Sequence, residues 1–199
     1  MSAYAAVVLA GGAARRMGGL DKPALPVGGV PMRERVLAAV ADASPRILVG
    51  PGPAPEGVRL TRESPPGGGP VAATAAGLAL IDADVAAVAL FAADLPLMTR
   101  SAVGELLRHL DSVAGDIDGV CYVDDSGRRQ PLCGVWRPAA LRGALDQLTV
   151  RRGELAGASL RDLLAGLAVR ETTWSGDGPP PWFDCDTERD LRRAEEWSR

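Results

Sequence analysis

The chain has 199 residues, 47% hydrophobic and 24% charged, with 22 basic against 25 acidic side chains and a net charge of −3. That length fits one domain, residues 1–199, with enough apolar sequence for a substantial core, and the lack of a basic block argues against a nucleic-acid surface. No apolar run approaches the ~20 residues that span a bilayer, no basic stretch precedes the first apolar segment, and Gly and Pro are scattered rather than repeated, which excludes a collagenous or disordered chain.

Tyr4 to Leu9 (YAAVVL) predicts a buried strand, closed at once by Gly11 and Gly12. Pro31 to Ala43 predicts a helix with proline in its first turn. Arg46 to Val49 and Val58 to Thr61 predict short strands, separated by Gly50-Pro51-Gly52-Pro53. After the Gly/Pro cluster at 65–70, a helix of small residues is expected from Val71 to Ile81. Val85 to Phe91 predicts a second buried strand, which breaks at Ala92-Ala93-Asp94-Leu95-Pro96. Ser101 to Leu110 predicts a helix with Thr99 or Ser101 as its cap, and His109, the one histidine, falls within it and reads as a surface residue. Gly119 to Val123 and Pro131 to Trp136 predict a hairpin around Asp124-Asp125-Ser126-Gly127. Helices are expected from Pro138 to Leu148 and from Leu160 to Leu167, and short strands at Val169 to Trp174 and Trp182-Phe183. A charged helix capped by Thr187 closes the chain at Trp197.

This alternation predicts an α/β fold: a mainly parallel, Rossmann-like sheet with helices on both faces and one antiparallel hairpin element. Its N-terminal half is expected to bind a nucleotide and its C-terminal half an acceptor. Ligands on such sheets bind beyond the carboxyl ends of the strands. Three loops fall there: those after Leu9, Phe91 and Phe183. Cys121, Cys133 and Cys185 are odd in number and lack C-x-x-C spacing, which points to a reducing, cytoplasmic compartment and no zinc site.

The segment LAGGAARRMGGLDKP, Leu9 to Pro23, carries Arg15, Arg16 and Lys22 beside four glycines, straight after a buried strand. Glycines let backbone N–H groups approach phosphates, and the cations neutralise them. Neither the G-x-x-x-x-G-K-[ST] loop nor G-x-G-x-x-G is present. Asp94 lies just past the second buried strand. By position alone it reads equally as a turn aspartate ahead of Pro96 and as a cation ligand, since Mg²⁺ takes one or two carboxylates plus phosphate oxygens. Asp184 and Asp186 stand before the last helix, where a carboxylate also suits the helix dipole.

The run L-A-G-G at 9–12, R-M-G at 16–18 and the lysine at 22 resemble the signature of the molybdenum cofactor guanylyltransferases. These belong to a wider nucleotidyltransferase group that includes the sugar-phosphate and cytidylyl transferases. The resemblance implies that the backbone of Leu9, Ala10, Gly11 and Gly12 meets base and ribose, and that Arg16 and Lys22 hold phosphates and act in catalysis with Asp94. It implies that Asp94, in the family's D-x-P, holds Mg²⁺, and that Asp186 maps to a second metal-contacting position. Glu63, opening ESPPGGGPVAA, stands where relatives carry a nucleotide-binding Asp; near Gly50 relatives can carry an Asn that touches the nucleotide. Arg129 and Pro131 resemble an R-x-P-L strand on the acceptor side, and Arg161 lies in a stretch comparable to a basic acceptor-binding one. L-A-G-G is typical of guanine-using members and L-A-A-G of cytidylyltransferases. The implied reaction transfers GMP from GTP to the terminal phosphate of molybdopterin, releasing pyrophosphate, with transient contact with molybdoenzyme maturation proteins and with neither nucleic acid nor membrane. Alternatives are a cytidylyl or sugar-phosphate nucleotidyltransferase, a nicotinamide-dependent oxidoreductase, and a non-catalytic nucleotide-binding module.

Overall fold

The computed structural model describes residues 3–11, 21–112 and 117–199. Strand β1 (Tyr4–Leu9) is apolar throughout because the sheet buries both of its faces. Ala6 and Val8 enter one core, while Ala5, Val7 and Leu9 enter the other. After β1 come a 3-10 turn (Lys22–Ala24), a two-residue hairpin of β2 (Pro26–Val27) and β3 (Val30–Pro31), and helix α1 (Met32–Ala39). Then follow β4 (Arg46–Val49), β5 (Val58–Thr61), α2 (Pro70–Leu78), β6 (Ala87–Ala92) and α3 (Arg100–Asp111). The second half holds β7 (Gly119–Val123), β8 (Arg129–Trp136), α4 (Pro138–Arg152), α5 (Leu160–Leu164), β9 (Val169–Thr172) and α6 (Glu188–Trp197).

Seven strands form one sheet in the order β5-β4-β1-β6-β8-β7-β9. Only β8 runs against its neighbours, so the expected mainly parallel sheet with one antiparallel element is what forms. Helices α1 and α3 cover one face, and α2, α4 and α5 the other. The small hairpin, α6 and Cys185 build a third, smaller cluster at one end. Aromatic residues are few, yet Trp136, Tyr122 and Phe91 are the largest fully buried side chains.

From β1 the chain runs outward to β4 and β5, then crosses to β6 on the other flank of β1. This reversal leaves a crevice beyond the carboxyl ends of β1 and β6, where open α/β sheets hold their ligands.

The structure departs from the expected elements in several places. Helix α1 stops at Ala39 rather than Ala43, because the turns Ala41 N–H to Ala38 O and Ala43 N–H to Val40 O bring Ser44 back onto β1, where its N–H donates to Tyr4 O. The 3-10 turn and the β2–β3 hairpin have no counterpart among the predicted elements, although Gly28-Gly29 between Pro26-Val27 and Val30-Pro31 is a hairpin signal. Trp182-Phe183 is not a strand. Pro179, Pro180 and Pro181 offer no N–H to a ladder, and the two aromatic rings pack instead: Trp182 on Tyr122 at 5.4 Å and Phe183 on Trp197 at 5.1 Å.

Gly77 sets how closely α2 lies on β1, since a Cβ there would stand 2.5 Å from Val7 Cγ1. Gly77→Ala is therefore expected to destabilise the chain by about 1–3 kcal/mol through overpacking. Urea unfolding checks this, as a lowered midpoint at unchanged slope.

Candidate active site at the carboxyl edge of the sheet

The crevice is assembled by backbone bonds between strand ends. Ala10 N–H donates to Val49 O at 2.7 Å, Ala93 N–H to Leu9 O at 2.9 Å, and Gly50 N–H to Thr61 O at 3.0 Å. Asp94 follows directly, and its carbonyl accepts a 3.2 Å bond from Cys185 N–H. That bond pulls the segment before α6 onto the end of β6. Cys185 is fully buried, so the flanking Asp184 and Asp186 are turned toward the crevice edge.

Three loops thus converge. Lys22 Nζ donates to Asp94 Oδ2 at 2.6 Å and to Asp186 Oδ1 at 2.6 Å. Burial opposes the charge on Lys22, but bonds to Asp186 and Asp94 outweigh it and hold the ammonium's pKa above the ordinary lysine value. Desolvation, then the charges of Asp186 and Asp94, push the Asp184 carboxyl above its usual range against the pull of Lys22. Among the described residues the crevice is therefore rich in carboxylate and centred on one cation, Lys22.

The donor set fits a divalent cation. Two carboxylates already converge on a positive group, and Mg²⁺ needs only one or two carboxylates, completing its shell with phosphate oxygens and water. Among the described residues no group of three or more His, Cys, Asp or Glu forms a ready-made metal cage.

Glu63 faces the same carboxyl end of β1, beside Gly11. A Cβ on Gly11 would lie 3.7 Å from Glu63 Oε1, an ordinary contact, and that oxygen also accepts from Gly67 N–H at 3.0 Å. Leu9, Ala10, Gly11 and Glu63 hence border one space. Gly12, Arg15 and Arg16 lie outside the described residues. At Gly50 the backbone has φ +147, and a Cβ would stand 2.8 Å from the Ala10 carbonyl carbon. The position has no room for a side chain while β1 ends as it does.

The acceptor-side residues are more scattered. Phe91 pairs with Cys133, so Pro131 and Arg129 extend past the end of β6 on the side where Asp94 lies. Arg129 Nε is paired with Glu171 at 2.6 Å across to β9. Arg161 is exposed on α5, a helix that packs on α4 and α2 rather than at the Lys22 cluster. His109 is half-buried, with Nε2 3.3 Å from Thr172 Oγ1, away from the crevice loops.

Sequence reasoning missed two supports, both on α1. Arg33 Nη1 pairs with Asp21 Oδ2 at 2.9 Å, immediately before Lys22. Arg35 Nε donates to Pro96 O at 2.8 Å, two residues after Asp94. The available signal was an arginine in the first turn of a helix, where the dipole disfavours it.

The fold is that of the α/β nucleotidyltransferases. It is shared with molybdopterin-guanine dinucleotide biosynthesis protein A from Archaeoglobus fulgidus (TM-score 0.70, 22% identity, 96% of each chain covered) and with 2-C-methyl-D-erythritol 4-phosphate cytidylyltransferase from Thermus thermophilus (TM-score 0.70, 21% identity, 98% of each chain). The chain belongs to the MobA-like NTP transferase domain family, whose model matches residues 6–171. Among curated relatives, the molybdenum cofactor guanylyltransferase of Bradyrhizobium sp. (strain ORS 278) is 31% identical, covering 98% of this chain and 92% of its own length. That of Nitrobacter hamburgensis is 29% identical, covering 95% and 91%. Asp186 lies beyond the family match, so its place in the site rests on its contact with Lys22.

Placing an asparagine at Gly50 is expected to harm this chain. Gly50→Asn combines a disfavoured φ with a backbone clash, and a loss of about 1–3 kcal/mol follows. A lowered unfolding midpoint together with weaker nucleotide binding checks it.

Proposed function

We propose that this chain transfers GMP from GTP to the terminal phosphate of molybdopterin, with release of pyrophosphate. The observation that carries the proposal is the convergence of Lys22, Asp94 and Asp186 at the switch point of the sheet. Support also comes from the guanylyltransferase names borne by relatives that align over nearly the whole chain.

In the reaction, an oxygen of the acceptor phosphate attacks the α-phosphorus of GTP. A new P–O bond forms, the α–β bridging P–O bond breaks, and pyrophosphate leaves with the electron pair. The acceptor phosphate is already ionised near neutral pH, so the chain supplies no general base. Its work is positioning and charge compensation, as in phosphoryl transfer generally. Asp94 and Asp186 would hold Mg²⁺, which shields the triphosphate charge and polarises the reacting phosphoryl group. Lys22, and Arg16 six residues before it in sequence, would neutralise phosphate oxygens. The backbone of Leu9, Ala10, Gly11 and Gly12, with Glu63, would receive base and ribose. Arg129, Pro131 and Arg161 are assigned to the acceptor side. A reducing cytoplasm suits Cys121, Cys133 and Cys185, all buried free thiols, and among the described residues no helix is long and apolar enough to cross a membrane. Transient contact with molybdoenzyme maturation proteins belongs to the same proposal.

Asp94→Asn is expected to keep the fold and lower turnover roughly 100-fold, by loss of a metal ligand. Lys22→Ala is expected to weaken calorimetric binding of GTP with Mg²⁺ and to slow transfer. Full activity in a folded Asp94→Asn protein, read by pyrophosphate release, removes the metal assignment.

Base choice tests the guanine assignment. Wild-type kcat/KM for GTP is expected to exceed that for CTP and ATP. Gly11→Ala adds a methyl beside Glu63 with no clash among the described residues, so a drop in GTP use in that variant, with the unfolding midpoint unchanged, reports the base site. Equal use of CTP and GTP by the wild type leaves only the broader nucleotidyltransferase assignment standing.

A further inference from the structure

Arg33 sits where a cation is disfavoured twice. It lies in the first turn of α1, at the positive end of the helix, and only 9% of it is exposed. A buried charge is tolerated when it is paired, and its single ion pair among the described residues is with Asp21. Asp21 in turn stands at the N-cap of the 3-10 turn Lys22–Ala24, where an aspartate ordinarily accepts from the turn's own N–H groups. Its side chain makes no such bond and is committed to Arg33.

We propose that Arg33 is a positioning residue for Lys22, acting through Asp21. The turn that carries Lys22 is fixed on its far side by Leu25 N–H to Lys22 O at 3.0 Å and Met32 N–H to Leu25 O at 3.0 Å. On its near side the tie to α1 is the 2.9 Å ion pair of Arg33 with Asp21. One helix thus grips the lysine's backbone from both ends, and the direction of its side chain toward Asp94 and Asp186 follows. Arginine suits this role because its fork is rigid, whereas a lysine would hold Asp21 as a mobile point charge. For catalysis the inference rests on the proposed role of Lys22 toward the triphosphate. For geometry it stands on its own.

The test uses the fact that Lys22 is the chain's only lysine. Full-length protein labelled with ¹³C,¹⁵N-lysine gives one side-chain signal, expected to lie well away from free lysine because the ammonium is clamped between two carboxylates. Arg33→Met is expected to move that signal toward the free value in the absence of any ligand. Asp21→Asn, a milder change at a more exposed side chain, is expected to do the same, and Arg33→Lys to recover part of the shift. In kinetics, Arg33→Met is expected to lower kcat/KM roughly tenfold to a hundredfold, as small displacements of a charged group do. It is expected to add little to the loss already produced by Lys22→Ala. A folded Arg33→Met and a folded Asp21→Asn that both leave the lysine signal in place overturn the inference. A moved signal with unchanged GTP affinity keeps the positioning role and discards the triphosphate role of Lys22.

Discussion

Asp94 and Asp186 come from distant parts of the chain and repel one another, so an ion between them decides whether the site exists as one object. In the free protein that ion is the ammonium of Lys22, 2.6 Å from each. Every other feature of the crevice either brings these three groups to one place or keeps them from drifting. β1 and β6 are paired from Tyr4–Ala87 to Leu9–Ala92, so the loops that follow them start side by side. The bond from Cys185 N–H to Asp94 O adds the third loop. Helix α1 then holds the first loop through Arg33 and the second through Arg35.

The general architecture was legible because β1 and β6 are central strands buried on both faces, and such strands read as unbroken apolar runs. Loops at their carboxyl ends are where ligands gather in open α/β sheets, which made Lys22 and Asp94 candidates before any contact was known. Asp186 was harder: a carboxylate ahead of a helix also suits the helix dipole, and the preceding Trp182-Phe183 imitates a strand. Its partners depend on tertiary packing of Cys185, which no local pattern reveals. The Arg33–Asp21 pair was invisible for a similar reason. A surface helix with M-R-E-R at its start reads as charged and solvated, and only the fold turns Arg33 inward against the loop.

The position of Lys22 bears on how the site changes as ligands arrive. On the proposed reaction, a divalent cation and Lys22 draw on the same two carboxylates, and the repulsion between the two cations favours release of the lysine when the metal enters. Leaving is costly unless a new anion receives the ammonium, and the triphosphate is that anion. Metal and nucleotide are therefore expected to favour each other's binding, a coupling that is reciprocal by thermodynamic necessity.

Base recognition is constrained by the space the crevice leaves. Gly50 lies against the backbone of Ala10 and Gly11, so the edge toward β4 is closed to side chains. On the proposed assignment, polar recognition of guanine then falls to the backbone at Leu9–Gly11 and to Glu63, whose carboxylate already faces Gly11. A carboxylate accepts hydrogen bonds and cannot donate them. Guanine presents donors on its pairing edge, whereas cytosine offers an amino group beside acceptors. An acceptor in this position pairs more fully with guanine and would stand against an acceptor on cytosine. Discrimination of that kind is strong because a buried polar group left unpaired is costly. The Glu63 carboxylate already stands within ordinary contact distance of the place a Gly11 side chain would occupy, so the bare glycine leaves it open to the base.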